Sequence, residues 1–194
     1  NNTQGAVHSI YVINSAGETI EYPVMGKKIH EGFQLGSFEY DIALFQLMTD
    51  LPDNVELAQL PKFKGQIKPN YVNGAGFGKS IGTLSSDKGT GTLRIATLKV
   101  LDYDKRSTSF LTDQSEEKGV CQGDSGGPAY AYQDGKTYVV GVVSRTVGKD
   151  PRSNIHRDAC NLYGIFTKVD NNINWIRKHL EILNTGYLPE ENII

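Results

Sequence analysis

The sequence predicts an all-β protein that ends in a single α-helix. Short apolar or alternating runs dominate the chain, turn residues separate them, and only one segment, near the end, has helical spacing. Glycine is frequent, with 21 residues, and falls mostly between the runs or where a strand would bend sharply. Sharp bends of this kind are what a sheet needs to close into a barrel.

Six stretches carry the strand pattern. In chain order they are "HSIYVI", "ETIEYPVM", "DIALFQL", "GTLRIATLKVLDY", "GPAYAYQDGKTYVVGVVS" and "GIFTKV". The fifth stretch contains "YQDGKTY", which predicts a hairpin whose turn is carried by Asp134-Gly135.

The helix is predicted in "DNNINWIRKHLEIL", with Asp170 or Asn171 as its cap. Apolar residues recur there at spacings of three and four, which places on one helix face Ile173, Ile176, Leu180 and Leu183. Between the strand-rich regions, "LPKFKGQIKPN" is rich in Lys, Pro and Gly and has neither periodicity, so it is the best linker candidate.

Composition and charge narrow the possible partners. The chain is 38% hydrophobic and 22% charged, with a formal net charge of −2, so no basic surface argues for nucleic acid. The longest apolar runs, such as "IALF" and "YVVGVV", fall far short of the roughly 18–20 residues that cross a bilayer. We therefore expect neither nucleic acid nor a membrane as partner.

The two cysteines, Cys121 and Cys160, can form at most one disulfide. His156 and Cys160 could be a pair of metal ligands, but zinc takes about four ligands and none cluster here. We expect no metal and no cofactor.

One motif in the chain nearly matches a phosphate-binding loop. "NGAGFGKS", residues 73–80, approaches the pattern Gly-x-x-x-x-Gly-Lys-Ser/Thr, but Asn73 stands where the first glycine belongs. The next residues along the chain, "IGTLSSDKGTGTL", cannot be the helix whose N-terminus should face the phosphates. The segment is better interpreted as a glycine-bearing barrel strand and turn.

The stretch "GVCQGDSGGPAY" contains a candidate nucleophile, Ser125. A serine hydroxyl needs a base to remove its proton and donors to receive the charge that develops on the substrate oxygen. Glycines on both sides of Ser125 suit a tight turn, and the N–H groups of Gly123 and Ser125 are the natural donors of an oxyanion hole.

The same residues fit Gly-x-Ser-x-Gly, the nucleophile elbow of α/β-hydrolases, with Asp150 and His156 following in the right order. That elbow needs a helix directly after the serine. Pro128 and a predicted strand hairpin come there instead, which argues against an esterase of that class.

Over nearly its whole length, the chain resembles the trypsin and chymotrypsin family of serine endopeptidases. "CQGDSGGPAY" is similar to the active-serine segment of that family, and "YDIALFQL" to its catalytic-aspartate strand. "YVNGAGFG", "VVGVVS" and "YGIFTKVDNNINWI" resemble three further family segments in the same order.

The resemblance implies two antiparallel six-stranded-type β-barrels, with the N-terminal barrel incomplete, and a C-terminal α-helix. It divides the chain into the remainder of the N-terminal barrel (1–60), a linker (61–70), the C-terminal barrel (71–169) and the C-terminal helix and tail (170–194).

The resemblance also assigns catalytic roles. Ser125 would be the nucleophile and Asp41 the buried carboxylate that orients a histidine. Gly123 and Ser125 would supply the oxyanion amides, and Ser144 would hydrogen-bond toward Asp41. Asp124 would form the activation salt bridge with a new N-terminal ammonium after zymogen cleavage.

Cys121 and Cys160 would form the disulfide that braces the specificity pocket, which favours a secreted, extracellular or periplasmic, protein. The expected partners are a protein or peptide substrate and possibly protein inhibitors.

The position of the catalytic histidine is the main departure from the family. The chain contains His8, His30, His156 and His179, and of these only His8 precedes Asp41 at a suitable position. It begins a strand similar to the one that follows the family's histidine loop. We therefore expect the histidine on a further N-terminal fragment, without which this chain alone would be inactive.

The family's substrate-binding positions predict a small, uncharged primary pocket. Gly119 stands where an aspartate would select Lys or Arg, and Val120 and Thr146 narrow the space, so small aliphatic residues are favoured. A basic specificity stays open if another acid, such as Asp158, reaches the pocket. The full set of predicted substrate-binding residues is Gly119, Val120, Ser144, Arg145, Thr146 and Gly164.

Two functions compete on these grounds. The first is a secreted serine endopeptidase that uses a Ser-His-Asp acyl-enzyme mechanism. The alternative is a catalytically inactive protease homologue that acts as a binding module.

Overall fold

The computed structural model describes residues 9–13, 17–83, 86–103, 107–116, 118–149 and 158–185. Over these residues a 3₁₀ turn (Asp170–Asn172) and one α-helix, α1 (Ile173–Thr185), follow a series of strands. The predicted all-β fold with one C-terminal helix is confirmed. None of the described helices is long and apolar enough to cross a membrane. The strands are β1 (Ser9–Ile13), β2 (Thr19–Ile29), β3 (Ala43–Leu47), β4 (Tyr71–Gly76), β5 (Arg94–Asp102), β6 (Ser109–Asp113), β7 (Pro128–Gln133), β8 (Lys136–Val147) and β9 (Tyr163–Lys168).

Strands β4 to β9 form a closed antiparallel barrel. Its strand order is β4-β5-β6-β9-β8-β7. The barrel closes where β4 pairs with β7, through Asn73 opposite Tyr130 and Gly74 opposite Ala129. This is the second of the two barrels that the sequence predicts, and it is complete.

The hairpin predicted at Asp134-Gly135 joins β7 to β8 and is confirmed. Gln133 pairs with Lys136 across the turn, and the two residues between them have φ values of 52° and 75°. Two successive residues in the left-handed region are the requirement of a type I′ turn, which the Asp-Gly pair meets readily.

The barrel core is built around two stacked phenylalanines. The rings of Phe110 on β6 and Phe166 on β9 lie 5.0 Å apart and almost parallel, and both side chains are buried. Ile67, from the stretch predicted as a linker, belongs to the same core and is 1% exposed. The other members are Val72, Leu98, Val120, Ala129, Ala131, Tyr138, Val140 and Val143.

Two compact units are distinguished within the chain. One comprises Gly32–Ile42 and Ala58–Asn174, and it contains the barrel. The other comprises Asn1–Glu31, Ala43–Leu57 and Trp175–Ile194. Its described strands form an open three-stranded sheet in the order β1-β2-β3, as expected for an incomplete N-terminal barrel. The boundaries predicted at 61–70 and at 170 stay predictions.

Helix α1 differs in detail from the sequence-based prediction. Ile173 and Ile176 are buried as predicted, but Leu180 is 36% exposed while His179 is 7% exposed. The predicted cap is also wrong, because residues 170–172 form a 3₁₀ turn without a side-chain cap. The Asp170 carboxylate instead accepts the N–H of Gly65 at 2.7 Å.

A cluster of polar and aromatic side chains, which we call the Trp175 cluster, ties α1 to the end of β2. His30 and His179 lie on the Trp175 ring, with centroid distances of 4.7 and 4.8 Å. The Glu31 carboxylate accepts a hydrogen bond from Trp175 Nε1 at 2.7 Å and pairs with Lys28 Nζ at 2.6 Å. It also lies 3.4 Å from His179 Nε2. Burial lowers the pKa of His30.

The stacked rings of Phe110 and Phe166 are the part of the barrel core where we expect a substitution to destabilise the fold most. We expect Phe110→Ala to lower the free energy of unfolding by about 3–5 kcal/mol, because it removes a buried ring and leaves a cavity against Phe166. Tyr132→Ala is the matched control: Tyr132 is 74% exposed on the same barrel, so its loss should change stability by less than about 0.5 kcal/mol. Denaturant midpoints measure both, and equal effects would contradict this placement of the core.

The Trp175 cluster predicts an acid-sensitive contact. The Lys28 ammonium, followed by hydrogen bonds from the backbone and from Trp175, lowers the pKa of Glu31 to about 2. Because the folded-state pKa is depressed, the stabilisation is complete above the ordinary value of 4.5 and is lost as the pH falls toward 2. An NMR titration of the Glu31 carboxyl carbon should give a midpoint near 2, and Lys28→Ala, which removes the ammonium, should raise it. A midpoint near 4.5 would contradict the cluster.

Candidate active site

Ser125 lies in a loop, residues 121–127, that consists of two successive β-turns; we call it the serine loop. The N–H of Asp124 bonds the carbonyl of Cys121 at 3.0 Å, and the N–H of Gly127 bonds that of Asp124 at 2.8 Å. Glycine stands third in each turn, with φ of 94° at Gly123 and 81° at Gly126. A type II turn needs positive φ at this position, which explains why glycines flank the serine.

The carboxylate of Asp124 holds the serine loop against the segment that follows β4. Oδ1 accepts the N–H of Gly78 at 2.7 Å and Oδ2 that of Cys121 at 2.8 Å. Asp124 is 9% exposed. A Cβ on Gly78 would lie 2.6 Å from the Asp124 carboxyl carbon, and one on Gly76 would overlap the carboxylate. Gly76 and Gly78 of "NGAGFGKS" therefore make room for this carboxylate, and the next element after β4 in the described part of the chain is strand β5, not a helix.

Backbone bonds also fix the other end of the serine loop on β8. The N–H of Gly126 bonds the carbonyl of Val143 at 2.9 Å, and the N–H of Val143 bonds that of Gly127 at 2.8 Å. Ser125 itself is exposed. Among the residues that the structure describes, none accepts a hydrogen bond from the N–H of Gly123 or Ser125.

The predicted disulfide between Cys121 and Cys160 is present. It links the first residue of the serine loop to the segment before β9. Thr146 on β8 lies beside it, with Oγ1 3.7 Å from Cys160 Sγ.

Asp41 and Ser144 are brought together, although 103 residues separate them. The hydroxyl of Ser144 donates to Asp41 Oδ2 at 2.8 Å. Ser144 lies where β8 changes register against β9, between Val143 and Arg145. Such a bulge turns a side chain out of the regular alternation, and here it directs Ser144 to the carboxylate.

The loop that carries Asp41 is sharply bent. Phe38 and Tyr40 have φ of 56° and 53°, and the N–H of Ile42 bonds the carbonyl of Tyr40 at 2.8 Å. Side chains other than glycine reach this region only at some cost. The guanidinium of Arg145 lies 4.5 Å from the centre of the Phe38 ring, so one predicted substrate-binding residue holds the loop in place.

The candidate bases divide into two groups. His30 and His179 belong to the Trp175 cluster, where both contact the Trp175 ring. His8 and His156 lie outside the described residues, as does Asp150, the acid of the hydrolase alternative.

Three of the predicted pocket residues, Gly119, Val120 and Gly164, lie against a side chain that sequence reasoning missed. Gln114, the residue after β6, is 1% exposed and contacts the backbone near Gly119 and Gly164. Its position between polar neighbours in "LTDQSEE" gives no periodic signal of burial.

An open cavity of about 790 Å³ adjoins the serine loop. Asp124, Gly119 and Cys160 line it, together with the cations Lys79, Arg94 and Lys149. Ser125 does not belong to its lining. The cavity therefore reaches the carboxylate that holds the serine loop rather than the candidate nucleophile.

Within the described part of the chain, one group has the composition of a metal site: Cys121, Asp158 and Cys160. Both sulfurs belong to the disulfide and are not thiolate ligands. Asp158 Oδ1 accepts the N–H groups of Gly82 and Cys160 at 3.1 and 2.8 Å, so it acts as a backbone acceptor.

Comparison with known proteins gives concordant matches. A family model described as Trypsin matches residues 3–176. The chain is 27% identical over 179 residues to "Transmembrane protease serine 7" of Homo sapiens, a match that covers 83% of the chain and 20% of that protein. It is 33% identical over 159 residues to "Chymotrypsin-like elastase family member 1" of Macaca fascicularis, covering 72% of the chain and 54% of that protein. The chain thus spans about half of the second relative's length and a fifth of the first's.

The two hydrogen bonds that the Asp124 carboxylate accepts from backbone N–H groups predict its contribution to stability. We expect Asp124→Ala to lower the free energy of unfolding by about 2–4 kcal/mol, because two buried N–H groups lose their acceptor. Asp87→Ala is the control: this carboxylate is 90% exposed and, within the described residues, pairs with Lys79, so the change should stay below about 1 kcal/mol. Urea denaturation measures both, and a neutral Asp124→Ala would contradict the role given to this carboxylate.

Proposed function

The chain belongs to the trypsin family of serine proteases, and from that membership we propose that it acts as a secreted endopeptidase through an acyl-enzyme on Ser125. The observation that carries the proposal is the serine loop. It presents an exposed hydroxyl between two glycines, next to two backbone amides that donate to no described acceptor. A nucleophile and oxyanion donors are two of the three parts that acyl transfer to a serine requires, and the third is a base.

In the proposed mechanism, Ser125 Oγ attacks the carbonyl carbon of the scissile bond while a histidine takes its proton. The N–H groups of Gly123 and Ser125 stabilise the oxyanion of the tetrahedral intermediate. The histidine then protonates the leaving amine, and the acyl-enzyme is hydrolysed by a water that the same histidine activates.

Asp41 orients that histidine and stabilises its imidazolium form. The hydrogen bond from Ser144 supports this role, because it fixes the Asp41 carboxylate and leaves its other oxygen for the imidazole. We propose that the histidine lies on a segment N-terminal to β1. The engagement of His30 and His179 in the Trp175 cluster supports this placement.

Asp124 is proposed to link activation to the serine loop. Its carboxylate already accepts two backbone amides and also faces the cavity, where the ammonium of a processed N-terminus would find it. Such a pairing would add a charge-assisted bond at the point that fixes the loop.

The proposed primary specificity is for small, uncharged residues. Gly119 brings no charge, and Asp158, the acid that could have selected a basic residue, is engaged by two backbone amides. Secretion is supported by the disulfide and by the family.

The second candidate, an inactive homologue that binds partners, is favoured by one observation: both described histidines lie in the Trp175 cluster. Sequencing the N-terminal region of the full-length protein discriminates the two functions. A residue other than histidine at the base position would favour the binding module.

We expect a fluorophosphonate probe to label Ser125 in the full-length protein, since only an activated serine attacks it. Ser125→Ala should abolish labelling and lower kcat by about 10⁶-fold. Ser86→Ala, which removes a hydroxyl in a surface turn, is the matched control and should leave both unchanged. Mass spectrometry of the labelled peptide identifies the site. Folded protein that stays unlabelled would overturn the endopeptidase in favour of the binding module.

A further inference from the structure

We propose that the side chain of Gln114 fills the primary specificity pocket, so that only glycine or alanine is accepted before the scissile bond. This inference rests on the endopeptidase function proposed above. It deepens that function, because a small aliphatic pocket would also admit valine, whereas a pocket filled by Gln114 would not.

Gln114 is fixed at the end of β6, inside the barrel unit. Its backbone N–H bonds the carbonyl of Leu162 at 2.9 Å, which joins it to the segment before β9. The side chain is 1% exposed, so the whole amide group lies in the interior.

Three hydrogen bonds satisfy this buried amide. Oε1 accepts the N–H of Val120 at 2.9 Å, while Nε2 donates to the carbonyls of Val120 at 3.1 Å and Cys160 at 2.6 Å. The donor and acceptor ends of the amide cannot be exchanged, because one faces an N–H and the other faces two carbonyls. The three bonds bridge both segments that the disulfide joins.

The amide occupies the space left by two glycines of the predicted pocket. A Cβ on Gly164 would lie 2.5 Å from Gln114 Oε1, and one on Gly119 would overlap the Gln114 amide carbon. Both positions lack a side chain, and the Gln114 amide takes up the space that one would occupy. The open cavity that Gly119 also lines is a different space, since neither Gln114 nor Ser125 belongs to its lining. The size of the pocket is therefore determined by Gln114, and Thr146 beside Cys160 narrows it further.

A substrate side chain could not readily displace Gln114. Moving it away would leave the N–H of Val120 and the carbonyl of Cys160 buried without partners, and an apolar substrate group could not replace them. A pocket of fixed volume discriminates steeply against each added carbon atom. The methyl group of alanine is therefore the largest side chain that we expect to fit.

The test uses the full-length protein and peptides that differ only in the residue before the scissile bond: Gly, Ala, Val, Leu or Phe. We expect kcat/KM for Gly and Ala to exceed that for Val, Leu and Phe by about 100-fold or more, and a Val peptide cleaved as well as the Ala peptide would overturn the inference. In Gln114→Ala the ratio for Leu over Ala should rise by about 10- to 100-fold, because the amide no longer fills the pocket.

Two controls separate volume from other effects. Gln114→Met keeps a side chain of similar length without the hydrogen bonds of the amide, so it should keep more of the preference for Gly and Ala than Gln114→Ala does. Gln133→Ala removes a glutamine whose side chain, among the described residues, bonds its neighbour Asp134 at the hairpin, and should leave the whole series unchanged.

Fluorophosphonate labelling of every variant keeps the two proposals distinguishable. A labelled wild-type protein that cleaves Leu or Phe as well as Ala overturns the inference about Gln114 and leaves the endopeptidase intact. A folded Gln114→Ala protein whose ratio for Leu over Ala stays at the wild-type value overturns it as well. An unlabelled wild-type protein overturns the proposed endopeptidase function and, with it, the inference about the specificity pocket. Where Gln114→Ala fails to fold, the wild-type series decides the outcome.

Discussion

The buried carboxylate of Asp124 connects the parts of the barrel unit on which the proposed chemistry depends. One oxygen is held by the amide of Gly78, after β4, and the other by the amide of Cys121, at the start of the serine loop. From Cys121 the disulfide continues to Cys160, whose carbonyl accepts the Gln114 amide. A single connected set of bonds therefore runs from the edge of β4 to the end of β6. Because each link is buried or partly buried, water cannot replace it without cost.

The same structural device occurs twice along this connection. The Asp124 carboxylate occupies the space of two missing side chains, at Gly76 and Gly78, and the Gln114 amide occupies that of two others, at Gly119 and Gly164. In each case a polar group enters the interior only because glycines let it approach the backbone closely enough to hydrogen-bond. The first arrangement holds the loop that carries Ser125, and the second fills the space beside two positions of the predicted pocket. Glycines that look like flexible turn residues in the sequence act here as sites of close packing.

The fold was largely predictable from the sequence, and the site only in part. The strands follow from apolar alternation and the β7–β8 turn from Asp134-Gly135, since both signals are local. The approach of Ser144 to Asp41 came from the family resemblance alone. The burial of Gln114 could not be predicted, because its side chain bonds backbone groups of Val120 and Cys160 that only the folded barrel brings to it. The cap of α1 was missed for a similar reason: Asp170 accepts the amide of Gly65, a partner that no local pattern reveals.

The pairing of β4 with β7, which closes the barrel, also bears on how the serine loop is held. β4 and β7 are joined by only two residue pairs, and β7 begins three residues after Ser125. This short seam lies between the two anchors of the serine loop, one on the β4 side at Gly78 and one on β8 at Val143. A chain whose seam is unpaired loses the connection between these two anchors, so the serine loop is no longer held at both ends. In the endopeptidase proposed above, activity would therefore require a closed barrel, and a molecule whose seam is open would be inactive.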